Sequence, residues 1–361
     1  MRTWTRRNLL KVTGGLGLTL AGSAALAACG AATPAPAADA TQAPAETSAP
    51  APAAAGKTKL VFEWPQYTPE KTRYGEYIIN TYMENNPNIE IEPMYNTNAV
   101  EKLTITIAGG TPPDCGWLGA GWQQLYKNLL VLDDFIERDA ADVQIDDYYP
   151  KLLEATTWQG QHQVMAQGFT VTLIYFNKQL FDDAGAAYPT DDWTWDDLKQ
   201  MGAAISDPDN NTYGCLLDQG SYYAPLYIAG PMADEEWRQS QFHSDLRVHI
   251  VQLWKDLWNV DKIAAPPTVT AEQGQMPMFE AGRIGMYAGG SWFLEPARML
   301  EFDWDIVPLP IMNWSDGDHR GTGMWTEELF IVGTTDKKEE AWDFIKWASG
   351  PELLTWAASE G

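Results

Sequence analysis

The chain has few of the residues that would mark a disulfide framework, a metal site or a nucleic-acid-binding surface. It contains 3 cysteines and 4 histidines in 361 residues, and the histidines have no metal-binding spacing such as His-Glu-x-x-His. The Gly-x-Ser-x-Gly motif of serine hydrolases is absent. Lys and Arg total 24 against 49 Asp and Glu, a net charge of −25, which disfavours nucleic acid as a partner. We therefore expect no cofactor, no metal and no nucleic-acid partner.

A long apolar run is also missing. The only candidate, residues 16–26, is too short and too rich in Gly and Ala to span a membrane. It follows Arg2, Arg6, Arg7 and Lys11, and a basic segment before a short apolar one is typical of a signal peptide. Residues 1–28 are predicted to be that leader. Because the Arg pair also resembles a twin-arginine motif, both general secretion and twin-arginine export remain open.

The leader ends in Leu-Ala-Ala-Cys, which resembles the bacterial lipobox. Cys29 is therefore predicted to be acylated and to become the first residue of the mature chain. Residues 30–56 are mostly Ala, Pro and Thr, a composition that offers too little apolar surface to offset the entropy of ordering. We expect residues 29–56 to form a lipidated, disordered linker. The protein would then be exported and anchored on the outer face of the cytoplasmic membrane or in the periplasm.

The rest of the chain, from residue 57, alternates strand and helix patterns. A strand at 59–64, a helix at 68–85 and a strand at 89–94 predict a parallel sheet with a helical crossover. Further helices are predicted at 100–108, 133–139, 195–205, 246–258 and 336–349, the last capped by Asp336. Further strands are predicted at 115–118, 163–176, 284–288, 305–308 and 328–332. The fold class is therefore α/β.

Several short segments follow one another in an order typical of one protein family. They are Asn-Pro-Asn-Ile-Glu at 86–90, Ala-Gly-Gly-Thr-Pro-Pro-Asp at 108–114, and the segments 129–136, 173–182, 194–198, 279–292 and 338–349. Together they cover nearly all of residues 59–359. This ordered set resembles the family 1 extracellular solute-binding proteins of ABC importers, the group that includes maltose-binding protein.

The resemblance implies a type II periplasmic-binding-protein fold, in which two α/β lobes are joined by crossing strands and the ligand lies in the cleft between them. By analogy, lobe 1 comprises residues 57–168 and 288–319, and lobe 2 comprises residues 169–287 and 320–361. Cys115 and Cys215 then lie in different lobes, so we expect no disulfide between them. The family pattern continues past residue 361 with more helix, so we expect this chain to be truncated at its C-terminus.

A sugar has an apolar C–H face and a rim of hydroxyl groups, so its site needs aromatic platforms beside polar side chains. Ligand loops follow the carboxyl ends of strands in α/β proteins. Trp292 also corresponds to a tryptophan that stacks on sugar in the family. The predicted ligand-binding residues are Trp64, Gln66, Tyr67, Asp114, Trp117, Tyr223, Trp292, Trp325 and Glu327.

Structural roles compete with some of these predictions. Asp114 follows a proline and could instead cap a turn through its carboxylate. Trp254 and Trp258 are four residues apart on one predicted helix, a spacing typical of core packing. Trp193 and Trp195 lie at the start of a helix, where an aromatic side chain can act as a cap.

The predicted function is the capture of a sugar or oligosaccharide, without chemistry, and its delivery to the permease subunits of an ABC importer. The protein is expected to act as a monomer. A secreted carbohydrate-active enzyme is the main alternative, because aromatic and acidic residues also line glycosidase clefts. No pair of carboxylates stands out in the sequence for such catalysis. A sensory subunit that binds the same ligand is the other alternative.

Overall fold

The computed structural model describes residues 56–217, 228–229 and 238–360. Its first three strands are parallel: β1 (Thr58–Pro65), β2 (Ile89–Asn96) and β3 (Cys115–Leu118). Helices α1 (Pro69–Asn85) and α2 (Ala99–Ala108) connect them. Thr68 and Asn98 begin these helices by accepting hydrogen bonds from the backbone of the first turn, the usual role of an N-cap side chain.

Short elements cover the next part of the chain. They are a 3₁₀ helix (Trp122–Asn128), α3 (Asp133–Arg138), α4 (Ala140–Val143), a 3₁₀ turn (Ile145–Asp147), α5 (Pro150–Thr156) and a hairpin of β4 (Thr157–Trp158) with β5 (Gln161–His162). The long strand β6 (Val164–Asn177) follows and leads into the second half of the fold.

The second half begins with α6 (Lys178–Ala184) and α7 (Trp195–Ile205). After a 3₁₀ turn (Pro208–Asn210), it continues with β7 (Tyr213–Leu217), α8 (Asp245–Asn259), α9 (Pro267–Gln273), α10 (Gln275–Glu280) and β8 (Ile284–Gly290). Next come a 3₁₀ turn (Ser291–Phe293), α11 (Leu294–Ala297), β9 (Trp304–Val307), β10 (Met312–Trp314) and β11 (Gly317–His319). The chain ends with β12 (Met324–Ile331), α12 (Lys338–Ala348) and α13 (Pro351–Glu360).

Strand β6 joins two sheet regions. Its first half pairs with β12, from Val164 opposite Phe330 to Val171 opposite Met324. Its second half pairs with β8 and β9. The strand order is β2-β1-β3-β12-β6-β8-β7, with β9 also on β6. A strand that changes partners halfway along its length is where two lobes can move relative to each other.

The packing of the hydrophobic cores corrects the predicted lobe boundaries. Residues 288–319, predicted for lobe 1, carry Phe293 and Val307, which pack in the cores of the second half. Residues 320–361, predicted for lobe 2, carry Leu329 and Phe344, which pack with β1 and α1 in the first core. The chain does not re-enter lobe 1 at β8, because the described strands that pair with β8 are β6 and β7. It returns through β12, so β12 and the two helices after it belong to lobe 1, whereas β7, β8 and β9 belong to lobe 2.

Most predicted elements are present within one or two residues of their expected bounds. One cap differs, since Lys337 and not Asp336 precedes α12. Cys115 and Cys215 are both free and buried, in separate cores. Within the described residues, no helix has the length and apolar content needed to cross a membrane.

Candidate functional site

The carboxyl end of β1 carries two of the predicted site residues at the surface. Tyr67 has 52% of its surface exposed, and Gln66 is exposed as well. The Gln66 N–H donates to the carbonyl of Asn96 at 2.7 Å, which fixes the end of β1 beside the end of β2. The two side chains are therefore held on ordered backbone and face solvent.

A lysine that the sequence analysis did not select organises the polar part of this region. The Lys71 ammonium lies 2.5 Å from Oε2 of Glu327. It also lies 4.7 Å from the ring centroid of Trp117 and 5.0 Å from that of Trp64, within range of cation–π attraction. Helix α1 thus supplies the positive partner for the predicted residue Glu327, and the two form one charged pair in lobe 1.

Two predicted tryptophans are less accessible than Tyr67. Trp64 is completely buried, and its indole N–H donates to the carbonyl of Lys71 at 2.8 Å. In this conformation Trp64 therefore has no surface exposed to a ligand, because α1 packs directly against its ring. Trp117 is 7% exposed and lies edge-on to Tyr67, with ring centroids 6.1 Å apart. Trp117 therefore packs against the ring of Tyr67.

Asp114, predicted as a ligand-binding residue, makes several contacts within lobe 1. Its carboxylate accepts hydrogen bonds from the backbone N–H of Val61, the hydroxyl of Thr335 and the ammonium of Lys337. It lies at the amino end of β3, away from the strand ends that carry Tyr67. All of these partners belong to lobe 1, so the competing structural interpretation of Asp114 is the one that the contacts support.

The predicted residue Trp325 lies on β12, where the two halves of the fold meet. It is partly buried and pairs with Thr170 of β6. A Cβ at Gly323 would lie 2.7 Å from its ring, so glycine is needed there for the ring to lie against the strand. Trp325 is therefore close to the crossing strands, two residues from Glu327.

Among the described residues, Trp292 is the predicted site residue that lies in lobe 2. It lies in the 3₁₀ turn after β8, with 52% of its surface exposed. Trp292 also lines a cavity of about 510 Å³. The carboxyl end of β7 contributes Leu217 to this cavity, and the middle of β8 contributes Tyr287.

Helix α8 supplies two cavity residues that were expected only to pack in the core. Trp254 and Trp258 pack against the lobe 2 core and also line the cavity. Their rings meet edge to face, with centroids 4.1 Å apart. The four-residue spacing was consistent with either role, because residues at that spacing share one face of a helix.

An ion pair brings the two surfaces to the same edge of the molecule. Arg73, two residues after Lys71, lies 3.4 Å from the carboxylate of Glu295, three residues after Trp292. Arg73 belongs to lobe 1 and Glu295 to lobe 2. The pair therefore joins α1 to α11, and Tyr67 and Trp292 each lie close in sequence to this contact between the lobes.

Two buried glutamates lie in the lobe 1 sheet near these residues. Burial raises the pKa of Glu63 to about 8, and burial also raises the pKa of Glu328 to about 8. Glu63 accepts a hydrogen bond from Asn96, and Glu328 accepts one from Thr326. Burial, with Glu327 and Glu63 nearby, raises the pKa of Tyr67. The Glu63, Glu328 and Tyr67 side chains are therefore uncharged at neutral pH.

Two predicted residues cannot be placed. Tyr223 and Cys29 lie outside the described residues. Of the remaining predictions, the structure brings Gln66, Tyr67, Trp117 and Glu327 together in lobe 1 and places Trp292 in lobe 2. Lys71, Trp254 and Trp258 are the additional residues of the site.

Two α/β lobes joined by crossing strands, with exposed aromatic side chains at the strand ends, have the architecture of a solute-binding protein. A model of the bacterial extracellular solute-binding protein family matches residues 64–353, so the chain belongs to this family. The predicted family and the predicted two-lobed fold are confirmed.

The relatives include a maltotriose-binding protein from Pyrococcus abyssi, 21% identical over 306 residues. That alignment covers 83% of this chain but 64% of the relative, so the chain spans less than two thirds of that relative's length. Among solved structures, an ABC substrate-binding protein from Listeria monocytogenes in complex with cycloalternan has a TM-score of 0.72 at 23% identity, covering 82% of this chain and 76% of the other. The sugar-binding protein MalE from Xanthomonas citri has a TM-score of 0.68 at 20% identity, covering 82% and 76%.

Proposed function

We propose that this protein captures a sugar or oligosaccharide between its lobes and delivers it to an ABC importer. The observation that carries the proposal is the Arg73–Glu295 pair, because it joins the lobes next to the segments that carry Tyr67 and Trp292. Relatives that bind maltotriose or cycloalternan support the ligand class.

The chemistry of the junction suits a sugar. Tyr67 and Trp292 each expose an aromatic ring, a surface that can pack against the C–H face of a pyranose. Lys71 and Glu327 provide a donor and an acceptor beside Tyr67, and Gln66 provides both. Charged groups that already neutralise each other can bind hydroxyls without an uncompensated charge.

The mechanism requires no bond to be made or broken. A ligand that contacts both lobes binds the closed arrangement more tightly than the open one, so it shifts the population toward closure. The closed shape is then what the permease recognises. The family relatives are binding proteins, which favours this mechanism over glycoside hydrolysis.

The N-terminal segment would determine where capture takes place. Residues 1–28 direct export, and acylation of Cys29 attaches the mature protein to the membrane. Residues 30–56 then act as a tether that allows the folded part to meet the permease. Labelling with a radioactive fatty acid should mark the wild type and fail to mark Cys29→Ala.

A thermal-shift panel of monosaccharides and linear and cyclic oligosaccharides tests the function, followed by calorimetry on each hit. Binding to the folded state raises the melting temperature by mass action. We expect at least one glycan to bind with a measurable heat and to remain chemically intact on chromatography. Absence of a shift and of heat throughout the panel would contradict sugar binding, and cleavage of the glycan would identify an enzyme.

A further inference from the structure

The cavity in lobe 2 has a wall composition unlike that of a complete sugar site. Its walls include Trp254, Trp258, Trp292 and Met276, while the described lining side chains with hydrogen-bonding polar ends beyond the aromatic residues are Thr270 and Gln275. None of the described lining residues carries a charged side chain. Its volume of about 510 Å³ lies in the range typical of small-molecule sites.

A bare sugar ring would be poorly matched to these walls. Each hydroxyl moved from water into the cavity needs a hydrogen-bond partner, and an unmade bond costs binding free energy. The paired polar groups, Lys71 and Glu327, lie instead in lobe 1. Trp292 lines the cavity and also exposes half of its surface, and it lies three residues before Glu295, whose carboxylate pairs with Arg73 of lobe 1.

We propose that the lobe 2 cavity holds an aromatic group attached to the sugar, so that the preferred ligand is an aryl glycoside. This inference rests on the proposed sugar-binding function. The sugar ring packs on Trp292 and faces Tyr67, and the aryl group enters the cavity.

The geometry of the α8 tryptophans selects an aromatic group over an alkyl chain. Trp254 and Trp258 meet at an interplanar angle of 80°, so together they form a corner whose two walls are nearly perpendicular ring planes. An incoming aromatic ring can then stack on one indole and meet the other edge to face, and both are favourable aromatic geometries. An alkyl chain gains only the contact area.

Matched pairs of phenyl and methyl glycosides of the sugars that bind in the panel test this inference by calorimetry. Each pair shares its sugar and its anomeric configuration, so the affinity ratio reports the aryl group alone. We expect the phenyl glycoside to bind at least tenfold more tightly. Equal affinities within a pair would overturn the aryl-glycoside inference and leave sugar binding intact, whereas a panel without any binding would remove the proposed function itself.

Variants locate the effect in the cavity. Trp254→Leu and Trp258→Leu should each reduce the phenyl-to-methyl affinity ratio at least threefold. Trp314→Leu is the matched control, because Trp314 packs against the same core but does not line the cavity; its ratio should be that of the wild type. A ratio unchanged in both α8 variants would refute the placement.

One further variant avoids the core altogether. Ala271 lines the cavity from an exposed position on α9, so Ala271→Trp should fold normally and fill the cavity. The phenyl preference should then disappear, with binding of the methyl glycoside retained. Persistence of the preference in a folded Ala271→Trp protein would contradict the inference even if the α8 variants proved unstable.

Discussion

At the scale of the residue, Trp292 is expected to contribute most to ligand binding in lobe 2. Its ring is half exposed and does not belong to either core. We predict that Trp292→Ala weakens sugar binding at least tenfold, about 1.4 kcal/mol. The free energy of unfolding should change by less than about 1 kcal/mol, since surface substitutions are usually mild. Calorimetry and urea denaturation measure the two quantities.

Phe242→Ala provides the comparison for Trp292→Ala. Phe242 is 48% exposed on lobe 2 but does not line the cavity. Phe242→Ala should leave the ligand affinity unchanged. If both substitutions weakened binding equally, the loss would not report a contact with the ligand.

The site residues show what a sequence can predict at this scale. The order of strands and loops correctly placed Tyr67 and Trp292 after strand ends. It could not distinguish Tyr67 from Trp64, because the sheet is covered on both faces and even the alternating neighbours Glu63 and Trp64 are buried. Lys71 was missed because its role depends on Glu327, which is 256 residues away in the chain.

The buried glutamates predict how stability depends on pH. Burial raises the pKa of Glu63 and Glu328 to about 8, compared with about 4.3 in an unfolded chain. Between these two values the folded state binds more protons than the unfolded state, so the free energy of unfolding falls as the pH rises. The contribution of these two carboxyls to the free energy of unfolding is fully present below about pH 4.3 and is lost as the pH rises through about 8.

Replacing both side chains with neutral amides should reduce this dependence. We predict that Glu63→Gln/Glu328→Gln flattens the decrease in melting temperature between pH 5 and pH 8.5. Glu84→Gln, on the exposed face of α1, should retain the wild-type slope. An unchanged slope in the double variant would mean that these carboxyls do not titrate in this range.

At the scale of the element, α1 packs against the sheet through a glycine. A Cβ at Gly75 would lie 2.3 Å from Nε1 of Trp64. Alanine favours a helix over glycine by about 1 kcal/mol, but overpacking a core costs about 1–3 kcal/mol. Because the Trp64 ring is also held by its hydrogen bond to Lys71, the cost of the clash should exceed the gain in helix propensity. Gly75→Ala should therefore lower the free energy of unfolding, measured by urea denaturation, by about 1 kcal/mol.

Gly168 is the matched position for that experiment. A Cβ there would meet no atom within 4 Å. Gly168→Ala should therefore be neutral or stabilising. Stabilisation by both substitutions would show that Trp64 can move aside at little cost.

Asp114 connects three elements of lobe 1. Its carboxylate bonds to β1 at Val61 and to Thr335 and Lys337 between β12 and α12. Asp114→Ala leaves these donors without their acceptor, so we predict a loss of about 2–4 kcal/mol in the free energy of unfolding. The folded variant should bind sugar with wild-type affinity, because none of these contacts reaches the interlobe junction.

An exposed aspartate gives the baseline for Asp114→Ala. Asp142 lies 3.8 Å from Lys346 with most of its side chain in solvent, and exposed pairs contribute about 0–1 kcal/mol. Asp142→Ala should thus have little effect on the denaturation midpoint. A large loss of sugar affinity in folded Asp114→Ala would restore the ligand role that the contacts argue against.

At the scale of the whole molecule, local pattern predicted the elements but not how the chain divides between lobes. Strand and helix periodicity depends on near neighbours, so β8 and β12 were both found. The strand that brings the chain back to lobe 1 is β12, because it pairs with β3 and with the first half of β6, whereas β8 pairs with the second half of β6. These partners are distant in sequence. Glycine and tryptophan lie at the end of β8 and at the start of β12, and these local segments do not identify the strand with which each one pairs.

The ion pair between the lobes predicts a contribution to closure. Arg73 and Glu295 meet at 3.4 Å across the junction, and both side chains are largely exposed. An exposed pair contributes about 0–1 kcal/mol, so we predict that Arg73→Glu weakens sugar binding about two- to fivefold by opposing closure. The effect should decrease between 20 mM and about 500 mM salt because the charges are screened.

The charge-reversed double variant separates attraction from a general loss of structure. Arg73→Glu/Glu295→Arg restores opposite charges across the same gap, so it should recover most of the affinity lost in Arg73→Glu. The Lys199–Asp261 pair lies within lobe 2, and Lys199→Glu should alter stability alone. If the double variant bound no better than Arg73→Glu, the pair would not couple closure to binding. Recovery would instead mean that the Arg73–Glu295 pair contributes to lobe closure, so that salt concentration changes the closing equilibrium and with it the ligand affinity.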